Sequence, residues 1–397
     1  MRVIRRHVAA QGGQYGEHQA HVALAAALLH DVGHGMFSHA FEPVAKRLKL
    51  PFTEHESVSA ALVRDSEIGG VLNNALGSGF ANDVATLLER KEPGNLYDAV
   101  VSSQFDADRL DYMQRDRLMT GIQSSGVDPV WLLANLEVAT VAAGADDNQT
   151  GAIETLVLGP KAAQTAESYV LALFHLYPNV YLHKTTRGAE TIFAALLERL
   201  LRLVADGHTA KTGLIGTHPL VRFATEPAQM SHAQALDDLV FWGALSMLEA
   251  AEDVEIKAYA GALRGRRLFR CIDVRERLDE ALSAQPGDRS DGRRARVALA
   301  CTRAERLLRL GPNRILTDRY SRAPYKRVQD SQSPLNRILI RTGDGPPRDM
   351  ADLSPMIAAA EPFDILRAYV RRDDDKAGQT VENVIRTCAR ETQHGEP

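Results

Sequence analysis

Apolar residues recur at three- and four-residue spacing through "HVALAAALLHD" (21–31), "SVSAALVRDSEIGGVLNNAL" (57–76), "TIFAALLERLLRLVAD" (191–206) and "ALDDLVFWGALSMLEAA" (235–251). That period predicts helices with one buried face. Between them, "PVWLLANLEVATVAAGADDNQTGAIETLVLG" (129–159) sets β-branched residues on either side of the turn-forming "GADDNQTG", which predicts an inserted β-hairpin near 136–158. After about residue 262, "RRLFRCIDV", "RILTDRY" and "NRILIRTG" read as short strands around an Arg-rich helix near 292–309, and "GDGPPRD" as a loop. The expected fold is mainly α: a helical bundle with the hairpin inserted, followed by a smaller α+β unit. By texture the chain divides at 1–125, 126–260 and 261–380, with 381–397 a polar, frayed tail.

Bulk properties narrow the class without naming it. A length of 397 residues suits two or three packed units, and 45% apolar with 25% charged residues is the make-up of a globular protein. Cys271, Cys301 and Cys388 are too widely spaced for a disulfide framework or a zinc site, which fits a reducing cytoplasm. The apolar run at 22–29 is far too short to span a bilayer, and the N-terminus lacks the apolar core of a signal peptide. The net charge of −4 hides an uneven distribution: Lys257 to Arg327 holds 19 basic and 8 acidic residues. Such a segment suits nucleotide phosphates, an acidic partner subunit or nucleic acid, although no aromatic interleaving marks a stacking surface.

Chemistry concentrates where the first apolar helix ends. "HDVGHGMFSH" (30–39) packs three histidines and an aspartate into ten positions, with Gly33 and Gly35 releasing the chain into a turn and Glu42 close behind. Mixed imidazole and carboxylate donors suit Mn, Fe, Ni or Zn, with Mg if more oxygens join. A second island, "DADRLDYMQRD" (106–116), puts Asp108 and Tyr112 one helical turn apart on a shared face, with Arg109 and Asp116 beside them. Arg109 suits phosphate because its planar fork makes paired hydrogen bonds. "HES" at 55–57 opens the next helix and offers His55 as an acid or base.

Together these islands resemble the HD superfamily of metal-dependent phosphohydrolases, and more closely its deoxynucleoside triphosphate triphosphohydrolase branch, the dGTPase and SAM-and-HD-domain-like enzymes. "LLHDVGHGMFSHAFE" is similar to that branch's HD-x-G-H-x-x-x-S-H segment, "HES" to its downstream His-Glu, and "DADRLDYMQRD" to its second Asp motif. "VYLHKTTRGAE" (180–190) and "RRLFR" (266–270) resemble later segments. The resemblance implies a divalent metal held by His30, Asp31 and Asp108, with His34 facing the scissile phosphate. It makes His39, backed by Glu42 and His55, the proton donor to the leaving oxygen. Arg109, Tyr112, Asp116 and Tyr181 would line the nucleotide site. It further implies a homo-oligomer whose substrate is a nucleotide, split into deoxynucleoside and triphosphate.

One departure stands out. The branch also draws a metal-binding histidine from an earlier Arg-Phe-x-His-Ser-like motif, and nothing like it precedes His30. His21 lies about half a helical revolution and roughly 13 Å from His30, so the two cannot share an ion. His18 and His7 are the remaining substitutes. "MRVIRRHVAA" also opens as though in mid-helix, which predicts a native segment ahead of Met1. Two alternatives stay open: another HD nucleotidase or phosphodiesterase, and a catalytically weakened HD module that senses nucleotides or acts as a scaffold.

Overall fold

The computed structural model describes every residue except 91–93, 143–151, 228, 284–289, 311–313, 324, 326–336 and 395–397. Nineteen α-helices and seven short strands make up the described residues, so the fold is mainly α with a small α+β unit, as expected. The strands are β1 (Leu136–Ala142), β2 (Ala152–Leu158), β3 (Arg270–Asp273), β4 (Ile315–Arg322), β5 (Leu339–Ile340), β6 (Arg348–Asp349) and β7 (Phe363–Val370).

Two compact units interleave along the chain. The first comprises 1–34, 54–180 and 323–362; the second comprises 35–53, 181–322 and 363–397. The division therefore differs from the consecutive segments 1–125, 126–260 and 261–380, because each unit borrows strands from distant sequence.

In the first unit, small residues let helices approach closely. Ala23 and Ala26 of helix Glu17–Leu29 share a buried core with Ala60 and Val63 of helix His55–Asp65 and with Phe80, Val84 and Leu88 of helix Phe80–Leu88. The run 57–76 is two helices rather than one. Ser66 leaves helical geometry, and its side chain accepts a hydrogen bond from the Ile68 N–H to cap helix Glu67–Leu76. The hairpin is present at the expected place: β1 and β2 pair antiparallel from Leu136↔Leu158 to Ala142↔Ala152. All of "GADDNQTG" (144–151) lies outside the described residues. β5, from "NRILIRTG", joins this sheet by pairing parallel with β2, so that segment belongs to the first unit and not to a C-terminal one.

The second unit is built on helix Lys184–Ala205, whose Ile192, Leu196, Leu197, Leu200 and Leu201 are buried at helical spacing. Its three-stranded sheet runs β3-β7-β4, all antiparallel. The polar tail expected at 381–397 needs correction. Residues Asp375–His394 form a helix whose Val381, Ile385, Cys388 and Ala389 are buried in a common core with Leu278, Ala300 and Val370. Spacings of four, three and one put those four residues on one face. The polar composition hid a narrow apolar stripe.

Candidate metal centre

Helix Glu17–Leu29 ends at His30, and the chain turns through Gly33. A Cβ on Gly33 would lie 2.3 Å from the Ser59 backbone nitrogen and 2.5 Å from the His55 carbonyl oxygen, so only glycine permits this approach of the turn to helix His55–Asp65. Ser59, fully buried, fastens the two together. Its hydroxyl donates to the His30 carbonyl at 2.5 Å and accepts from the Gly33 N–H at 2.8 Å.

The turn aims the predicted ligands at one another. His30 Nδ1 lies 3.0 Å from the Ala27 carbonyl oxygen. A carbonyl only accepts, so Nδ1 carries a hydrogen and Nε2 faces outward as the atom that would ligate a metal once its own proton leaves, the orientation usual for ligating imidazoles. His30 Nε2 is 3.3 Å from Asp31 Oδ2 and 3.7 Å from Asp108 Oδ1, and donor atoms of all three residues fall within 4.8 Å of one another. Donors about 2.1 Å from a shared ion sit about 3.0 to 3.6 Å apart at bond angles of 90 to 120°. The two His30 separations lie within or just beyond that range, and one imidazole with two carboxylates is a donor set that suits a divalent cation.

Its electrostatics agree. The His30 imidazole is pushed up to about 10, chiefly by its contact with Asp108 and then by Asp31, with burial opposing. Asp31 is held well below the usual carboxylate range, first by His30 and then by His34. Two carboxylates thus draw a proton onto His30, occupying the place a metal would take.

His34 and His55 flank this trio. His34 Nε2 is 3.5 Å and His55 Nε2 3.8 Å from Asp31 Oδ1, and the two rings stack with centroids 4.0 Å apart. Glu56 lies 3.6 Å from the His55 ring.

Asp108 sits in the first turn of helix Ala107–Thr120, where Tyr112 and Asp116 follow at four-residue steps on the same face. Asp106 caps this helix, its carboxylate accepting the Arg109 N–H at 2.8 Å and lying 3.3 Å from the Arg109 guanidinium. Burial raises the Asp106 pKa and Arg109 partly offsets this. Asp106 thus orients Arg109, while Asp111 pairs with Arg115 on an exposed face.

The remaining predicted residues belong to the second unit. His39 Nδ1 lies 3.6 Å from Glu42 Oε1, with His39 largely exposed and Glu42 mostly buried. Tyr181 ends a π-helical turn, Tyr177–Tyr181. The substitute histidines do not join the trio: His7 pairs with Glu154 at 2.8 Å and His18 with Asp83 at 2.7 Å. Reading the sequence missed Ser59 and Asp106. A hydroxyl inside the apolar stretch "VSAALV" and an aspartate three residues before Arg109 were the available signals.

Residues 4–113 match the HD domain family, and residues 149–214 match the HD associated region. The chain therefore carries an HD domain followed by an HD-associated region. It is 28% identical over 264 residues to the uncharacterized protein YwfO of Bacillus subtilis, covering 66% of this chain and 55% of that protein. Over 245 residues it is 27% identical to the uncharacterized protein MG461 of Mycoplasma genitalium, covering 59% and 56%. The chain spans about half the length of these curated relatives. Among solved structures, a phosphohydrolase from Bacteroides thetaiotaomicron matches with a TM-score of 0.64 at 21% identity, covering 94% of this chain and 84% of the other. A hypothetical protein from Aquifex aeolicus matches with a TM-score of 0.61 at 19% identity, covering 91% and 80%. At these identities the structural matches speak for the fold. No helix among the described residues is long and apolar enough to cross a membrane.

Proposed function

We propose that the chain is a metal-dependent phosphohydrolase that splits deoxynucleoside triphosphates into deoxynucleoside and triphosphate. The observation that carries the reading is the convergence of His30, Asp31 and Asp108, with His30 Nδ1 tied to a carbonyl so that Nε2 is the donor. When bound, a divalent ion supplies Lewis acidity that polarises a phosphoryl oxygen and makes water nucleophilic near neutral pH. His34, beside Asp31, offers an imidazole hydrogen to a phosphoryl oxygen. Arg109, oriented by Asp106, binds the polyphosphate, and Tyr112, Asp116 and Tyr181 contact the nucleoside. His39, with Glu42 holding its ring, supplies the proton to the leaving 5′-oxygen, with His55 in support.

The same reading includes a homo-oligomer, with nucleotide phosphates contacting the second unit at a cavity of about 360 Å³ lined by Lys184, Arg266, Arg270 and Arg372. Size-exclusion chromatography with and without dNTP reads that part.

The test of the activity is product identity. Full-length chain incubated with each dNTP and Mn²⁺ or Mg²⁺ releases intact triphosphate. Orthophosphate or pyrophosphate as first product indicates a different HD nucleotidase or phosphodiesterase. The trio itself favours one second reading, a nucleotide-sensing module, because neither His7 nor His18 adds a fourth protein ligand. Saturable dNTP binding without turnover at any divalent ion supports that module instead.

A further inference from the structure

The segment that carries His39 is held in an unfavourable backbone shape. Phe37 and Ser38 both adopt the left-handed region, with φ of 53° and 50°. Non-glycine residues rarely do so singly, and two in succession persist only where surrounding contacts over-determine them. Those contacts come largely from one distant helix. The Phe37 N–H donates to the Asp238 carboxylate at 2.8 Å, although 201 positions separate the two residues. Asp238 is free for this because its neighbour Asp237 caps the same helix, Asp238–Glu249, through the Val240 N–H. That helix also supplies Phe241 and Trp242, whose rings meet the Phe37 ring edge-on at 5.3 and 5.5 Å, and Phe193 closes the third side at 4.8 Å. Ahead of Phe37, Met36 is buried. Beyond it, the Ala40 N–H returns to the Phe37 carbonyl, so the clamp passes directly into the turn Ser38–Ala40 that presents His39.

We propose that Asp238 is a positioning residue: together with the Phe37 ring cage it locks two left-handed residues in place and thereby fixes the direction of His39, two residues on. A carboxylate rather than an apolar contact suits this task, because a hydrogen bond to a charged acceptor is directional and holds one backbone N–H in one orientation. Ring packing alone would hold the side chain of Phe37 while leaving its peptide free to rotate. The proposal rests on the phosphohydrolase reading for the role of His39, but the clamp itself does not.

The experiment uses the full chain and three variants, Asp238→Ala, Asp238→Asn and His39→Asn. Two substrates are compared: a dNTP, whose 5′-alkoxide leaving group needs a proton, and the p-nitrophenyl ester of thymidine 5′-monophosphate, whose nitrophenolate does not. The proposal predicts that D238A lowers kcat on the dNTP by about tenfold, the rate equivalent of one lost hydrogen bond, with little change in KM or in ester hydrolysis. H39N shows the same selectivity, more strongly. D238N, whose amide oxygen still accepts the Phe37 N–H, recovers most of the dNTP rate. Equal losses on both substrates, or D238N as impaired as D238A, overturn it, since a general loss of structure spares neither substrate.

Amide hydrogen exchange gives the readout that does not need activity. D238A exchanges faster at residues 36–41 while helix Lys184–Ala205 is unchanged; unaltered exchange at 36–41 overturns the clamp. If wild-type chain hydrolyses neither substrate, the phosphohydrolase reading fails, and exchange alone then decides whether Asp238 holds this turn.

Discussion

His30 Nε2 and Asp108 Oδ1 lie 3.7 Å apart although they come from separate helices far apart in sequence. Neither residue reaches the other by local geometry. They meet because Gly33 and Ser59 fold the end of one helix inward and Asp106 starts the other at the right point. A pair of opposite charges at the surface would add little to stability. Placed beside Asp31, it is the arrangement proposed to hold a cation.

Metal uptake at the proposed trio would therefore exchange one cation for another. His30 is protonated in the metal-free protein up to about pH 10, and a ligating imidazole must give that proton up. Calorimetry of Mn²⁺ binding at pH 7.5 (an experimental choice of roughly physiological pH) in buffers of different ionisation enthalpy is expected to report proton release, and His30→Gln is expected to abolish it. The raised His30 pKa stabilises the metal-free fold fully below about pH 6.5, and this contribution is lost as pH rises through about 10. Metal binding with no proton release would contradict the arrangement.

Gly33→Ala tests the close approach. The new Cβ would lie 2.3 Å from a backbone nitrogen, which cannot yield as a flexible side chain does. Overpacking of this kind costs about 1–3 kcal/mol, to be read by urea denaturation, and Mn²⁺ affinity should fall with it. Gly70, whose added Cβ meets nothing within 4 Å, serves as the tolerant comparison.

His218 gives a pH dependence away from the centre. Its Nδ1 accepts the Leu220 N–H at the start of helix Pro219–Thr225, and burial lowers its pKa. The neutral ring is the folded form, so its contribution is complete above about pH 6.5 and declines as pH falls through the lowered folded value. Thermal unfolding between pH 7.5 and 5 (a range chosen to bracket roughly the ordinary imidazole pKa) should lose more stability in the wild type than in His218→Asn, which caps the helix without titrating.

Ile385→Ala tests the C-terminal helix. Ile385 is buried against the core of the second unit. Truncating a buried isoleucine to alanine costs about 2–5 kcal/mol, whereas a residue in a frayed tail would cost nothing measurable in the same denaturation experiment.

Much of this architecture was legible in the sequence. The hairpin showed because β-branched runs flank turn residues, and the Lys184–Ala205 helix because its leucines keep a regular period. His30 and Asp31 stood out because metal-binding side chains are costly at the end of an apolar helix, and Asp108 through the resemblance of "DADRLDYMQRD" to a second Asp motif. The Asp375–His394 helix did not show, since a few buried apolar residues among many polar ones barely alter composition. The interleaving of the units was hidden because two-residue strands such as β5 carry no periodicity of their own. Ser59 escaped notice because its importance lies in bridging Gly33 and His30, a relation that exists only once the helices pack. Asp238 carried no signal of its own, because its partner Phe37 lies 201 positions away.

The most direct test is a Mn²⁺ titration of the full chain, of Asp108→Ala and of Asp111→Ala. Asp108 and Asp111 are close in sequence, but one faces His30 and the other pairs with Arg115. The expected result is one Mn²⁺ per chain in the wild type, affinity lowered by at least about tenfold in D108A, and no change in D111A. Equal affinity in the wild type and D108A would mean that residues 30, 31 and 108 do not hold a common ion.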